Sequence, residues 1–386
     1  MEKCNEVKLK DICFFCKDKT NVSELNNQTY ISTENMLPNR AGVTTATTLP
    51  TGELTPSFEI DDTLVSNIRP YFKKIWKATF SGGCSADVLV FKAKENISKD
   101  YLYYVLADEE FFKYSMATSK GTKMPRGDKT SIMNYPVKLP PLPTQQKIAT
   151  ILSSLDDKIE LNNKINDNLE QQAQAIFKSW FVDGQEINGT IGDYCNVKSG
   201  FAFKSSWWQD IGIKVIRIGD IEQDNLSFSS CAHVSEDKIL PAKDFIVKGG
   251  DLVIAMTGAT IGKFSIVPNT DETILVNQRV GKFFLGDKPI EKVPFIYCTL
   301  KQEQVISEFI NRGQGSAQPN ISTSDILSIP CWIPDTSKIT EFNSLIQPMI
   351  ETIVQNQYEI QKLTNLRDTL LPKLMSGEID IDFIQI

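Results

Sequence analysis

The run from Thr144 to Trp180 constrains the fold more than any other stretch, because it contains neither Pro nor Gly. Its apolar residues recur mostly three or four positions apart, the spacing of one stripe along an α-helix. At a rise of about 1.5 Å per residue the helix is roughly 50 Å long, longer than the usual helix of a globular domain. A Pro-rich segment at 139–143 precedes it. Thr144 or Ser153 is a candidate cap, and Asp183-Gly184 ends the run.

A second long periodic run, from Ile329 to Ile379, also follows a Pro-rich start. A narrow apolar seam flanked by Asn, Gln, Asp and Lys needs a partner helix to bury it. We expect the two helices to pair as an intramolecular coiled coil. Two unrelated amphipathic helices in separate cores are the alternative. The expected seam residues are Ile148, Leu152, Leu155, Ile159, Leu169, Ile176, Ile346, Ile350, Ile353, Ile360 and Leu363.

The chain also repeats itself. A constant offset of 194 aligns residues 101–140 with 295–334 without gaps and keeps glycines, prolines and apolar positions in register. Further back, Asp62–Val65 pairs with Gly250–Val253. Self-similarity at a fixed period indicates a duplicated architecture. The predicted order is domain, helix, domain, helix, with bounds at 1–138, 139–183, 188–328 and 329–379.

Each globular unit contains short β-branched and aromatic runs separated by Gly, Asn, Asp and Pro, which indicate a small, mostly antiparallel sheet. These runs are Thr63–Ile68, Val88–Lys92, Lys214–Ile218, Asp251–Ala255, Lys263–Val267, Thr273–Val276 and Val280–Leu285. Each unit then ends in a helix, Tyr101–Lys113 or Phe295–Ile310, and a Gly-containing loop. The predicted fold class is α+β, with two mixed, mostly β, domains that are each followed by a long helix.

Composition excludes several classes of protein. Hydrophobic residues make up 41% and charged residues 23% of the chain, and no apolar run is long enough to span a bilayer. The start of the chain lacks the apolar core of a signal peptide. Eight scattered cysteines fit a reducing cytoplasm, where disulfides are rare. We therefore expect a cytoplasmic protein without a membrane segment.

Charge is informative only when it is divided by segment. The formal net charge of −7 argues against a polyanion-binding surface over the whole molecule. Residues 63–138 nevertheless carry 13 Lys and Arg against 7 Asp and Glu, a net of +6. Residues 188–328 carry 14 against 16, a net of −2. A positive patch in the first unit fits contacts to phosphates, whereas the second unit must use a few placed residues.

The sequence carries no strong match to a catalytic or metal-binding motif. Cys13 and Cys16 have CxxC spacing, but no second pair exists and the sole histidine, His233, is distant, so the apolar end of a strand is favoured over a zinc site. Only three residues separate Gly258 from Gly262, one fewer than a P-loop requires, so a β-hairpin connection with positive φ at both glycines is favoured. With one histidine, Ser/His catalysis is improbable. The chain is expected to be non-catalytic.

Two loops, Lys120–Lys129 and Asn311–Asn320, are the best ligand candidates. Arg, Lys, Gln and Asn make bidentate contacts to guanine and adenine edges, and amides beside Gly can approach phosphates. A solvated loop capping the preceding helix is the alternative, but equivalent positions in both halves favour binding. Trp207-Trp208 and Phe201–Phe203 either stack on bases or form a buried cluster, the commoner use. The candidate DNA-binding residues are Arg69, Lys73, Lys74, Lys120, Lys123, Arg126, Lys129, Thr257, Thr260, Lys263, Gln278, Arg279, Arg312, Gln314, Gln318 and Asn320.

Four groups of residues carry a resemblance to a known family, namely Leu139–Ile148, Ile176–Val182, Thr257–Lys263 with Val276–Gln278, and Leu370–Ile379. With these segments, the layout resembles the specificity (S) subunit of type I restriction–modification systems over nearly the whole chain. The first unit departs from the pattern, since Ser66-Asn-Ile-Arg69 stands where the second has Thr-Gly-Ala-Thr.

The resemblance implies two target-recognition domains and two helices packed antiparallel as a spacer with pseudo-twofold symmetry. Each domain then reads half of a split site on double-stranded DNA, and the half-sites differ because the loops differ. Two methyltransferase (M) subunits and the restriction/translocase (R) subunits are the implied partners. S-adenosylmethionine, ATP and Mg²⁺ belong to those partners, and this chain carries no cofactor. A coiled-coil scaffold that binds protein rather than DNA is the alternative function.

Overall fold

The computed structural model describes residues 5–313, 319–379 and 381. The chain forms two compact units, one of residues 1–157 and 364–386 and the other of residues 158–363. The predicted domain bounds cut the chain before and after each long helix, whereas these units assign part of each long helix to each unit. The bounds of the domains stay a prediction.

The first unit is built from short strands and helices. Its strands are β1 (Asn5–Lys8), β2 (Cys13–Phe15), β3 (Lys19–Asn21), β4 (Tyr30–Ile31), β5 (Leu54–Phe58), β6 (Thr63–Ser66), β7 (Ile75–Lys77), β8 (Gly82–Cys84), β9 (Val88–Ala93) and β10 (Pro136–Leu139). Its helices are α1 (Leu9–Ile12), α2 (Lys99–Ala107), α3 (Glu109–Ala117), α4 (Lys129–Ile132) and the beginning of α5 (Leu142–Phe177).

Two small sheets form the β part of this unit. One has the order β2-β9-β6-β7 and is antiparallel throughout; the other has the order β3-β5-β8-β4, in which β4 runs parallel to β8. Strand β1 pairs with β10. The main core joins the first sheet to the helices through Phe91, Tyr101, Leu152 and Leu371, all buried. A mostly antiparallel sheet was the sequence prediction, and the pairings agree with it.

The helix predicted over Tyr101–Lys113 is two helices, because Asp108 adopts an extended conformation between them. The Asp108 carboxylate accepts a hydrogen bond from the backbone N–H of Glu110 at 3.1 Å and so caps the start of α3. Aspartate is a preferred cap, which the run of apolar residues around it concealed. The predicted helix Phe295–Ile310 is likewise interrupted after Leu300.

The second unit repeats this plan. Its strands are β11 (Gly189–Thr190), β12 (Asn196–Ser199), β13 (Ile213–Ile216), β14 (Ile221–Glu222), β15 (Asn225–Leu226), β16 (Ala232–Val234), β17 (Ile246–Val247), β18 (Leu252–Ala255), β19 (Phe264–Ile266), β20 (Ile274–Val276), β21 (Val280–Phe284) and β22 (Pro330–Cys331). Its helices are α6 (Ile191–Tyr194), α7 (Val293–Leu300), α8 (Glu303–Gly313), α9 (Thr323–Leu327) and most of α10 (Thr336–Ser376).

The sheet β12-β21-β18-β19 matches the first unit's β2-β9-β6-β7, and a second sheet has the order β16-β13-β20-β17. The core of this unit centres on four buried phenylalanines, Phe177, Phe181, Phe295 and Phe342, whose rings meet at centroid distances of 5.2–6.5 Å. Ring pairs at this spacing stabilise a core beyond the apolar area they bury.

The register of the repeat differs by one residue from the predicted pairing of Asp62 with Gly250. The Asp62 carboxylate accepts a hydrogen bond from the backbone N–H of Glu59, three residues earlier, and the Asp251 carboxylate accepts from Lys248 in the same way. Asp62 is therefore equivalent to Asp251. Low sequence identity allowed either register, and the two strand ladders decide it.

The long helices begin at other residues than predicted: α5 begins before Thr144, whereas α10 begins at Thr336, after the predicted bound at 329. Helix α5 starts at Leu142, with Pro143 in its first turn, where a missing N–H costs nothing. Neither Thr144 nor Ser153 is therefore the residue at its start. The helix continues as a π-helical turn at Lys178–Val182, and Gly184 follows with a φ of +72°.

Side chains of α5 and α10 meet within each unit. In the first unit Arg367 Nη1 donates to Asp156 Oδ1 at 2.7 Å. In the second unit Asn162 Nδ2 donates to Glu359 Oε2 at 2.8 Å, and Asn356 Nδ2 donates to Asn166 Oδ1 at 2.8 Å. As the residue number rises along α5 it falls along α10.

The predicted seam residues differ in burial. Five are buried, namely Ile148, Leu152, Ile346, Ile350 and Ile353. Six are half-buried, namely Leu155, Ile159, Leu169, Ile176, Ile360 and Leu363. Over the part of the chain that the structure describes, neither these helices nor any other is long and apolar enough to cross a membrane.

The cysteines behave as core residues. Cys13 lies in β2, is buried, and donates its thiol hydrogen to the carbonyl of Leu9. Burial raises the pKa of Cys13 and of Cys84 to about 12, so both are protonated thiols at neutral pH. The described residues hold no cluster of three His, Cys, Asp or Glu side chains that fits a metal ion. The interpretation of Cys13-Phe-Phe-Cys16 as a strand end agrees with this geometry.

Candidate nucleic-acid interface

A tight turn follows β6 in the first unit. Residues Pro70–Phe72 form one turn of 3₁₀-helix between Arg69, with a φ of +50°, and Lys73, with a φ of +51°. The left-handed conformation costs an L-residue other than Gly roughly 1–2 kcal/mol. Such strain persists where the surrounding structure holds it, which occurs often at functional sites.

Backbone hydrogen bonds fasten this turn to the loop Lys120–Lys129. The N–H of Arg69 donates to the carbonyl of Pro125 at 2.8 Å, and the N–H of Gly127 donates to the carbonyl of Asn67 at 3.1 Å. Ile68 and Arg126 form a β-bridge between the two segments. The structure thus brings together two stretches of predicted DNA-binding residues that lie about 50 positions apart in the sequence.

The second unit has the same arrangement. The N–H of Gly258 donates to the carbonyl of Pro319 at 2.9 Å, and the N–H of Ile321 donates to the carbonyl of Met256 at 3.0 Å. Thr257 forms a β-bridge with Asn320. The connection between β18 and β19 is therefore a hairpin turn, as predicted, and not a nucleotide-binding loop.

The glycines of this second turn have positive φ, +76° at Gly258 and +81° at Gly262. They occupy the places that Arg69 and Lys73 take in the first unit, because the β-bridge and the backbone hydrogen bonds that join the turn to its loop are equivalent in the two units. The bond within the turn differs, since Lys73 N–H donates to the carbonyl of Pro70 and Gly262 N–H donates to the carbonyl of Ala255. The departure expected at Ser66-Asn-Ile-Arg69 is thus a change of side chains on a shared backbone conformation. Lys74 and Lys263 are equivalent in the same register.

A cavity of about 590 Å³ opens beside the first turn. It lies entirely within the first unit and combines cations, two carboxylates and aromatic rings. It is lined by Tyr30, Ser32, Thr33, Glu34, Thr48, Leu49, Pro50, Ser66, Ile68, Arg69, Phe72, Lys74, Ser85, Asp87, Met124 and Arg126.

The cations of the cavity differ in how they are bound. Lys74 Nζ donates to the carbonyl of Thr33 at 2.6 Å, and burial lowers the pKa of its ammonium below the usual value. Arg126 is 54% exposed and meets the Asp87 carboxylate at 3.3 Å. Arg69 is exposed and has no carboxylate partner among the residues that the structure describes.

The other predicted cations of the first unit lie on its surface. Lys120 pairs with Asp128 at 2.5 Å and lowers the pKa of that carboxyl to about 2. Lys73 pairs with Glu109 at 2.6 Å. Lys123 and Lys129 are exposed without an acidic partner in the described ranges. The first unit therefore presents several cations that can meet a polyanion.

In the second unit the expected contacts are fewer. Thr257 and Thr260 are candidate DNA-binding residues, but their hydroxyl oxygens are covered by protein and have no hydrogen-bond partner among the described residues. Gln278, Arg279 and Asn320 are exposed, and Lys263 is half-buried. These four residues include only two cations, which agrees with the net charge of −2 over residues 188–328.

Arg312 serves the fold of the second unit. Its guanidinium pairs with Glu308 at 2.9 Å, and it donates to the carbonyl of Asp325 at 2.7 Å and to Ser328 Oγ at 2.5 Å. These contacts tie α8 to α9 and leave the guanidinium engaged. Gln314 and Gln318 lie outside the described residues.

The aromatic residues near position 205 form a packed cluster. Trp207 and Trp208 are half-buried and pack against the buried Phe203, and the Phe201 and Trp207 rings are stacked at 6.4 Å. The ammonium groups of Lys204 and Lys238 lie over the Trp207 ring. The interpretation as a packed cluster, and not as a platform for bases, fits this geometry.

Sequence reasoning missed much of the cavity wall. Tyr30 lies in the two-residue strand β4, and Glu34 and the segment Thr48–Pro50 lie in irregular loops. These segments are too short or too irregular for a periodic signal and meet the turn only through long-range contacts. The equivalence of Arg69 with Gly258 was detectable, because aligning Asp62 with Asp251 instead of Gly250 leads to it directly.

The chain matches the model of the type I restriction modification DNA specificity domain twice, over residues 1–171 and 187–365. It is 26% identical over 314 residues to the type I restriction enzyme MjaIX specificity subunit of Methanocaldococcus jannaschii, covering 75% of this chain and 71% of that protein. It is 25% identical over 476 aligned positions to the HindI specificity subunit of Haemophilus influenzae, covering 98% and 100%.

Among solved structures, the S subunit of a type I restriction–modification system from M. genitalium has a similar fold. The TM-score is 0.58 at 17% sequence identity, and the match covers 97% of both chains.

Proposed function

The chain belongs to the family of type I restriction–modification DNA specificity subunits, which are non-catalytic, and on that premise we propose that it reads a bipartite, asymmetric site on double-stranded DNA. One observation carries the proposal: each unit presents the same turn-and-loop pair, fastened by equivalent backbone hydrogen bonds. Two copies of one reading device fit two half-sites, and their different side chains fit two different half-sites.

The first unit makes the larger share of phosphate contacts in this proposal. The exposed cations assigned to phosphates are Lys120, Lys123, Arg126 and Lys129, whereas Arg69 is exposed at the cavity and is not assigned to a phosphate. The second unit contributes Lys263, Gln278, Arg279 and Asn320. Lys73 and Arg312 are better assigned to holding their own units together, because each is paired there and is only 28% or 26% exposed. Lys120 and Arg126 are also paired, but their side chains are 81% and 54% exposed and stay accessible to DNA.

The long helices act as a spacer. We propose that α5 and α10 pair along their length as an antiparallel coiled coil with pseudo-twofold symmetry. The opposed numbering of the contacts from Asn162 to Glu359 and from Asn166 to Asn356 supports this. At about 1.5 Å per residue the 36 residues of α5 extend over about 54 Å, more than one DNA turn of about 34 Å. The half-sites are then separated by several unread base pairs.

The names of the relatives, which are subunits of type I restriction enzymes, support assembly with further subunits. The chain is proposed to dock two methyltransferase (M) subunits and, through them, the restriction/translocase (R) subunits in the cytoplasm. S-adenosylmethionine, ATP and Mg²⁺ bind to those partners in this proposal. A coiled-coil scaffold without DNA binding is the second candidate, which the overall charge of −7 favours.

The salt dependence of binding separates the two candidates. For the assembled complex on a duplex that carries its site, we expect the logarithm of the binding constant to fall linearly with the logarithm of salt concentration. With about five phosphates neutralised, the slope is about −4 to −5. Fluorescence anisotropy at several salt concentrations measures it. A duplex with scrambled half-sites is the control, and absence of binding to both duplexes at low salt would support the scaffold.

A further inference from the structure

We infer that Arg69 is a base-reading residue of the first unit, and that it contacts a guanine edge at one position of the half-site read by that unit. The inference rests on the proposed function and deepens it. It starts from one difference between two otherwise equivalent turns: Arg69 stands where the second unit has Gly258.

Arg69 and Gly258 can be compared directly because their backbones make equivalent contacts. Arg69 donates its N–H to Pro125 as Gly258 does to Pro319, and both have positive φ. Glycine adopts this conformation without strain, whereas an L side chain there is strained. The second unit therefore has the residue that the backbone favours, and the first unit carries a long cationic side chain against that preference.

The same exchange occurs four residues later with a different outcome. Lys73, with a φ of +51°, stands where the second unit has Gly262, with a φ of +81°. Its ammonium lies 2.6 Å from the Glu109 carboxylate, so a contact inside the unit accounts for the side chain. No contact inside the unit explains the side chain of Arg69 in this way. It is exposed, lines the cavity, and has no carboxylate partner in the described part of the chain.

The surroundings of Arg69 point to a base and not to a phosphate. Lys74 is bound by the carbonyl of Thr33, and Arg126 forms an ion pair with Asp87 while staying 54% exposed, so Arg69 is the one cavity cation whose side chain has neither a carbonyl nor a carboxylate partner among the described residues. Exposed lysines such as Lys123 and Lys129 can contact DNA phosphates. The backbone of Arg69 is held in a tight turn, and its guanidinium offers a planar fork of donors, which fits the two acceptors on the major-groove edge of guanine.

The test is the methylation motif of cells that carry the whole complex, mapped at base resolution for the natural chain and for R69G. We expect R69G to relax one guanine position in one half-site, with a loss of discrimination of about 5- to 150-fold there, and to leave the other half-site unchanged. The variant should melt no lower than the natural chain, because glycine relieves the backbone strain.

K73G is the matched control, because it also replaces a cationic residue of positive φ in the same turn with glycine. We expect its motif to be unchanged. R69K keeps the charge but loses the fork, so it too should relax the guanine position. An unchanged motif in R69G, or weaker methylation of an unchanged motif, would overturn the inference, the latter indicating a phosphate contact. If the natural chain supports no bipartite motif, the proposed function itself fails.

Discussion

Replacing Phe342 with Ala is expected to lower the free energy of unfolding of the second unit by about 3–5 kcal/mol. Phe342 is fully buried, and its ring meets those of Phe177, Phe181 and Phe295 at 5.6, 5.2 and 6.5 Å. Removing it deletes contacts with all three rings and leaves a cavity that the rigid aromatic neighbours cannot fill. Urea unfolding followed by tryptophan fluorescence measures the change.

The control for this substitution lies on the same helix. Leu345 is 47% exposed, so L345A removes little buried surface and should change the free energy of unfolding by less than about 1 kcal/mol. Equal effects of F342A and L345A would contradict the assignment of the phenylalanine cluster as the core of this unit.

Reversing the charge of Lys120, Lys123 and Arg126 to Glu is expected to weaken binding of the complex to its DNA site by roughly 100-fold. Each lost phosphate contact is worth on the order of 1 kcal/mol in water, and the three residues share one loop. Assembly with the methyltransferase should persist, since the loop is not part of the long helices. Anisotropy with labelled duplex measures the binding, and size-exclusion chromatography measures the assembly.

The matched control keeps the total charge change and moves it elsewhere. Lys10, Lys17 and Lys19 are exposed in the first unit and do not line the cavity. Their reversal to Glu should change DNA affinity far less. Equal losses in both triple variants would show that overall charge, and not the loop, governs binding.

Much of the fold was readable from the sequence because it rests on local patterns. The long helix α5 follows from 3.6-residue periodicity, and the repeat follows from matching glycines and prolines. The helix break at Asp108 was missed because one capping carboxylate outweighs the apolar pattern around it. The register of β6 was missed by one residue because strand pairing is a long-range property.

The candidate site was readable only in part. The sequence identified the loop at Lys120–Lys129 but could not show that backbone hydrogen bonds join it to Arg69. It also could not show that Arg312 is engaged within its unit, or that the Thr257 hydroxyl is covered. The sequence of a loop shows which polar side chains are present. Which of them are exposed depends on how the loop packs against the rest of the unit.

Base-resolution mapping of methylated adenines in host DNA, with and without this gene, tests the central claim most directly. If the chain specifies a bipartite site, deleting the gene should abolish methylation at one asymmetric, split motif and leave every other motif unchanged. Methylation that persists at all motifs, with the methyltransferase gene intact and expressed, would contradict the specificity role.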